Sequence, residues 1–134
     1  MIASLHVASG ALVGALAGSR GRAAALGPLA HLAGDRMPHG DIASRRFEIA
    51  SSAGALLLLA GARGPLDSAV VGGLAASLPD VEHVVRLPRP GGRKLFPSHR
   101  VHGWHRAGGV PAWAQVLAAG LLVGALAAPA LRGR

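Results

Sequence analysis

The chain alternates apolar segments with short polar junctions, and its titratable side chains are concentrated at every second junction. Five apolar segments are legible: about Ile2 to Gly18, Ala23 to Arg36, Ile42 or Ala43 to Ala62, Pro65 to Leu78, and Val110 to Leu131. In an up-down bundle alternate junctions meet at the same end. All seven histidines and five of the six acidic residues fall at that end. Imidazoles and carboxylates withdrawn from water are costly unless they are paired or hold a metal. The pattern therefore predicts an all-α, up-down bundle of about five helices with a metal site at one end, formed by residues 1–134 as one domain.

Composition narrows the setting. Hydrophobic residues make up 51% of the chain and charged residues only 15%, against roughly a quarter charged in an ordinary soluble domain. The apolar residues are mainly Ala, Leu, Val and Gly, a mixture that suits close helix packing and a bilayer. Gly10, Gly14 and Gly18, and again Gly120 and Gly124, are spaced by four as small-residue stripes. Segments three and five are long enough to cross about 30 Å of hydrocarbon at 1.5 Å per residue.

The formal charge is +8. The basic residues stand in loops and form no helix face that would enter a groove, which argues against nucleic acid and leaves anionic lipid or membrane orientation. Arginine and lysine are more numerous at the histidine-bearing end, where Phe47, Phe96, Trp104 and Trp113 also lie. That bias predicts a multi-pass protein of the cell inner membrane with this end cytoplasmic. A soluble bundle with very apolar helices is the alternative. Met1 to Gly18 lacks a basic n-region and carries His6 in its apolar run, so it reads as a bundle helix rather than a signal peptide. Cysteine is absent, which excludes disulfides, thiolate metal sites and cysteine nucleophiles.

Candidate ligands come in clusters. His31 and Asp35 lie one helical turn apart on one face, and Pro38 then forces a stop, so that His39 and Asp41 can turn back over it. Asp41 also reads as the N-cap of segment three. Pro79 ends segment four, and Asp80, Glu82 and His83 follow within four residues. His99, His102 and His105 recur every three residues in the long loop of residues 84–109, and His6 stands at the matching end of segment one.

The metal ligands expected are His6, His31, Asp35, His39, Asp80, His83, His99 and His105. Imidazole and carboxylate without thiolate suit Zn²⁺ first, then Mn²⁺ or Fe. More than four ligands predict two or more ions, an arrangement common in phosphoester hydrolysis. Glu82 or Asp41 is the expected proton carrier. Arg86, Arg89, Arg93, Lys94 and Arg100 would hold an anionic or phosphate-containing small molecule or lipid.

At these residues the chain resembles the small integral-membrane metal-dependent hydrolases, kin to zinc-dependent phospholipase C and to a group of zinc-dependent nucleases. The resemblance rests on His6 in an apolar helix, on Leu78-Pro79-Asp80-Val81-Glu82-His83, on His99-Arg100 and on the string from His31 to Asp41. It implies hydrolysis of a phospholipid or phosphodiester by a metal-activated water. The last motif departs from the family pattern, which has Thr directly before a second His. Here His102 and His105 are alternatives for that ligand. A non-enzymatic metal-binding or structural membrane protein is the other reading of the same residues.

Overall fold

The computed structural model describes residues 1–132, without the side chains of Pro90 and residues 129–132. The side chain of Arg132 and residues 133 and 134 lie outside the described residues. Within them the protein is all-helical. Five helices of ten residues or more carry the fold: α1 (Ala3–Ala17), α2 (Arg20–Arg36), α3 (Arg45–Arg63), α4 (Ser68–Ser77) and, last in the chain, α7 (Ala112–Arg132). Between α4 and α7 lie a 3₁₀ turn (Leu78–Asp80), short α5 (Val81–Val84), a second 3₁₀ turn (Pro90–Gly92) and short α6 (Pro97–Arg100).

Local chemistry sets the boundaries, and three differ from expectation. Gly18 closes α1 in the left-handed region at φ 68°. Ser19 then caps α2 by accepting from the Arg22 amide, so Arg20 to Arg22 form the first turn of α2 instead of terminating segment one. Ser44, not Asp41, is the N-cap of α3 and accepts from the Phe47 amide at 3.3 Å. Asp67 caps α4 by accepting from the Ala69 amide at 2.9 Å, which leaves Pro65 in the turn before the helix.

Helix α1 is the hub, packed against α2, α3, α4 and α7. Its tightest neighbour is α4, where Gly10 and Gly14 face Gly72 and Ala76; a Cβ built on Gly72 would meet Gly14 Cα at 2.8 Å. The core is correspondingly small-residue: Val7, Ala8, Ala11, Leu59, Ala69, Val70, Ala119 and Val123. On α7 the packed stripe is Ala119, Val123 and Ala127. Gly120 and Gly124 are exposed with nothing within 4 Å of their Cβ positions, so that glycine pair is not the helix contact the spacing suggested.

Among the described residues no helix is long and apolar enough to cross a membrane, and the spans expected at segments three and five are not found there. Helix α3 opens on Arg45, Arg46 and Glu48 and closes on Arg63. Helix α7 commits its first turn to the polar end through Gln115, which is fully buried.

Two ties position that end. Pro38, His39 and Gly40 bond to the backbone of residues 106–110, with Gly40 N to Val110 O at 2.9 Å and Val110 N to Pro38 O at 3.0 Å. Gly109, at φ 74°, lies so close to Pro38 that a side chain would strike the Pro38 carbonyl. Gln115 donates to Gly40 O at 2.8 Å and accepts from the Ile2 amide at 3.1 Å.

Candidate metal centre

His31 comes from the inner face of α2 and is fully buried. Its Nδ1 lies 2.8 Å from the Ala76 carbonyl. A carbonyl only accepts, so Nδ1 carries the proton and Nε2 presents a bare lone pair. His99, on α6, is oriented in the same way: its Nδ1 lies 2.5 Å from the Glu82 carboxylate. Both Nε2 atoms then face each other at 3.3 Å. Asp35 Oδ2 stands 3.0 Å from His31 Nε2 and 3.5 Å from His99 Nε2. Asp80 Oδ1 stands 3.9 Å and 3.7 Å from the same two atoms.

With both imidazoles neutral, four lone-pair atoms thus converge, Asp35 Oδ2 also accepting from Ser98. Ligand atoms about 2.0–2.1 Å from a tetrahedral zinc lie about 3.3 Å apart, and the separations among His31 Nε2, Asp35 Oδ2 and His99 Nε2, 3.0 to 3.5 Å, match that spacing; Asp80 shares no ligand set with Asp35. Two further atoms are orphaned. His6 Nδ1 and Asp80 Oδ2 are buried without a partner, and His6 is itself fully buried. Its ring stacks on His31 at 3.8 Å between centroids, and its Nε2 meets Asp35 Oδ1 at 3.0 Å. Three sets have ligand atoms close enough together to share an ion: His6, His31 and Asp80; His31, Asp35 and His99; and Asp80, His83 and His99. The donor chemistry fits a zinc-like cation.

The electrostatics follow from this crowding. Burial pushes His6 down to about 3 and Asp80 up to about 6. Burial also pushes His83 down, to about 4, with His99 and Lys94 adding to the shift. Burial opposes the charge on Asp35, but bonds from His31, His6 and His99 outweigh it and hold the carboxyl well below its ordinary value. His99 is held above its ordinary value because its bonds to Asp35 and Glu82 outweigh burial. A proton can therefore partly satisfy the cluster, and a metal would have to displace it.

Six of the eight expected ligands are brought together: His6, His31, Asp35, Asp80, His83 and His99. His105 stands at the edge, its Nε2 3.2 Å from Asp35 Oδ2 and its side chain 44% exposed. His39 is turned aside: its Nδ1 bonds Met37 O at 2.6 Å, and its Nε2 faces Asp41 and the Met1 amino nitrogen. Asp41 is 80% exposed, and His102 is exposed.

Glu82 is placed differently from the proton carrier expected. It is buried and accepts from the Leu95 amide at 2.7 Å as well as from His99, so it stands behind a ligand and orients it. Arg86, Arg89, Arg93 and Arg100 are exposed, with Arg89 reaching the Glu82 carbonyl at 3.4 Å. Lys94 sits on His83, Nζ to Nδ1 at 3.2 Å.

A cavity of about 660 Å³ opens from Asp35, Asp80, His83, His99 and His105. None of those four arginines nor Lys94 lines it; its lining includes Arg45 and Met1, whose amino group lies 3.2 Å from Asp35 Oδ1. Sequence reasoning also passed over Ser98, which donates to Asp35 Oδ2 at 2.6 Å, and Gln115. Its one available signal for Gln115 was a lone amide in an apolar segment, at the histidine end. Trp104, whose indole donates to Leu32 O at 3.1 Å, pins the histidine loop onto α2. Comparison with family models, curated proteins and solved structures finds no match.

Proposed function

We propose that this chain is a metal-dependent hydrolase of phosphoesters. The observation that supports the reading is the convergence of His31 Nε2 and His99 Nε2, 3.3 Å apart, with Asp35 Oδ2 and Asp80 Oδ1 within 3.9 Å of both. Such N and O donors suit zinc, and next manganese or iron. A cation held there supplies Lewis acidity and lowers the pKa of a water towards about 7.

The chain's own residues do the rest. The Ala76 carbonyl and Glu82 fix which imidazole nitrogen of His31 and His99 faces the centre. Ser98 and His6 fix the two oxygens of Asp35. Asp80, His83 and His99 line the cavity, so the third ligand set is the one a substrate reaches. His105, on the same wall and open to solvent, is placed to pass a proton to the leaving group.

The same reading places the protein against lipid. Leu16, Leu57, Leu117, Leu121 and Trp113 on the helices, and Leu66 in the turn before α4, are all more than half exposed. Apolar surface on that scale marks an interaction face, and a net charge of +8 suits an anionic leaflet.

The test is elemental analysis followed by a substrate panel. Purified protein should carry at least one tightly held zinc or manganese per chain. The loaded protein should hydrolyse a member of a panel of phosphodiesters, phosphomonoesters and phospholipids, and Asp80→Asn should abolish that turnover with helicity unchanged. Silence across the panel with metal bound would leave an ion-binding protein and end the hydrolase reading.

A further inference from the structure

The cavity beside the ligand cluster is two-sided. One end is built from Asp35, Asp80, His83, His99 and His105. The walls leading away from it, supplied by α3, by α5 with the residue after it and by the residue before α1, include Ile2, Ile49, Ala53, Leu56, Val81 and Val85. At about 660 Å³ its volume lies within the range that encloses a ligand of drug size. A wholly polar ligand would leave the aliphatic wall wet. A wholly apolar one would leave the carboxylates and imidazoles without partners.

Charge complementarity sets the sign of the polar part. A metal on the histidines and aspartates attracts an anion, and Arg45 adds a cation on the wall. Two carboxylates line the cavity outside the ligand sets. Glu48 is turned onto the Ala3 amide at 2.6 Å, and Asp41 stands beside His39 at 3.3 Å.

We infer that the cavity takes a single-chain amphiphile, with a phosphate-type head at the ligand cluster and an alkyl chain along the wall formed by Ile49, Ala53, Leu56, Val81 and Val85. This rests on the reading that the cluster holds a metal, and it adds the substrate class to the proposed phosphoester chemistry. The alkyl chain supplies binding, because each methylene leaves water on entering the wall; the head supplies position.

The experiment titrates zinc-loaded full-length protein with inorganic phosphate and with butyl-, hexyl- and octylphosphonate, whose carbon–phosphorus bond is not hydrolysed. Affinity should rise about threefold to fourfold per added methylene. Ala53→Trp fills the wall from α3, where Ala53 lines the cavity and is open to solvent. It should flatten the chain-length dependence and leave the affinity for inorganic phosphate unchanged. Ile49→Ser, a smaller change on the same wall, should reduce the slope if the tryptophan variant does not fold.

Equal affinity for all chain lengths would overturn the inference. So would a slope that both variants keep, because the chains would then be sitting on the outer helix faces. A slope without hydrolysis of any panel substrate keeps the amphiphile site and removes the hydrolase. Hydrolysis of short phosphodiesters without a slope does the reverse.

Discussion

The seam between α1 and α4 and the histidine end of the bundle are held together in opposite ways. In the seam, Gly10, Gly14 and Gly72 bring one backbone against another, and nothing needs to be neutralised. At the histidine end, His6, His31, Asp35, Asp80 and His99 bring acceptor atoms together and leave two of them unpartnered. The seam is satisfied by shape alone. The other end is satisfied only when a cation or a proton joins it. One region is therefore a fixed frame and the other a site whose order depends on what is bound.

On the metal-dependent reading, the largest effect should come from stripping a cation from this end. A cation present at about a thousand times its dissociation constant contributes about 4 kcal/mol, so chelation should lower the melting temperature by many degrees. Amide exchange should rise in residues 78–106 and at the end of α2 and stay slow in α1 and α4. Equal loosening of both regions would break the comparison.

Next in size is Gly72→Ala, whose methyl would meet Gly14 Cα at 2.8 Å and its amide nitrogen at 3.0 Å. Because the obstruction is backbone, the cost should approach about 3 kcal/mol, the top of the usual range for overpacking. Gly120→Ala meets nothing within 4 Å and should instead stabilise by about 0.5–1 kcal/mol. Thermal or urea denaturation of the pair reads both signs at once.

Glu82→Gln sharpens the other half. It keeps the shape but weakens the hold on His99 Nδ1, and metal affinity should fall about tenfold to a hundredfold, measured by competition with a chelating dye. An unchanged affinity would mean that His99 does not depend on Glu82 for its orientation.

Much of this was legible from the chain. The five long helices follow from apolar segments separated by Gly, Pro and Arg, and the joining of His31, Asp35, Asp80 and His99 at one end follows from helix count. The rest depended on directions that spacing does not carry. Glu82 lies between two expected ligands in sequence, yet a short helical turn points it at the back of His99. The loop arginines share a neighbourhood with the histidines, while the cavity opens on the other side, towards Arg45. Gly120 and Gly124 have the spacing of a helix contact, but α7 turns its alanine stripe inward instead.

The smallest prediction lies at the opposite end of the bundle, where Arg63 and Asp67 pair at 2.9 Å. Burial alone would raise the Asp67 pKa, but the bonds from Arg63 and the Ala69 amide outweigh it and hold the carboxyl below its ordinary value. Its contribution is therefore present at neutral pH and is lost as pH falls through the carboxylate range. Asp67→Ala should cost about 0.5–1 kcal/mol at pH 7, a difference that fades towards about pH 2. Metal content should not change. A change would mean that the two ends are coupled through the frame.

The bond from the Ile2 amide to Gln115 joins residues 113 apart in the chain, and that separation sets an order of assembly. Contacts between α1 and α4 close shorter loops and can form while the polypeptide is still emerging from the ribosome. The clasp at Gln115 must wait until α7 has been made. The strip of residues 38–40 that it anchors, and the histidine loop bonded to that strip, reach their final places after it. A cation held at the cluster would then be captured only after α7 has been made.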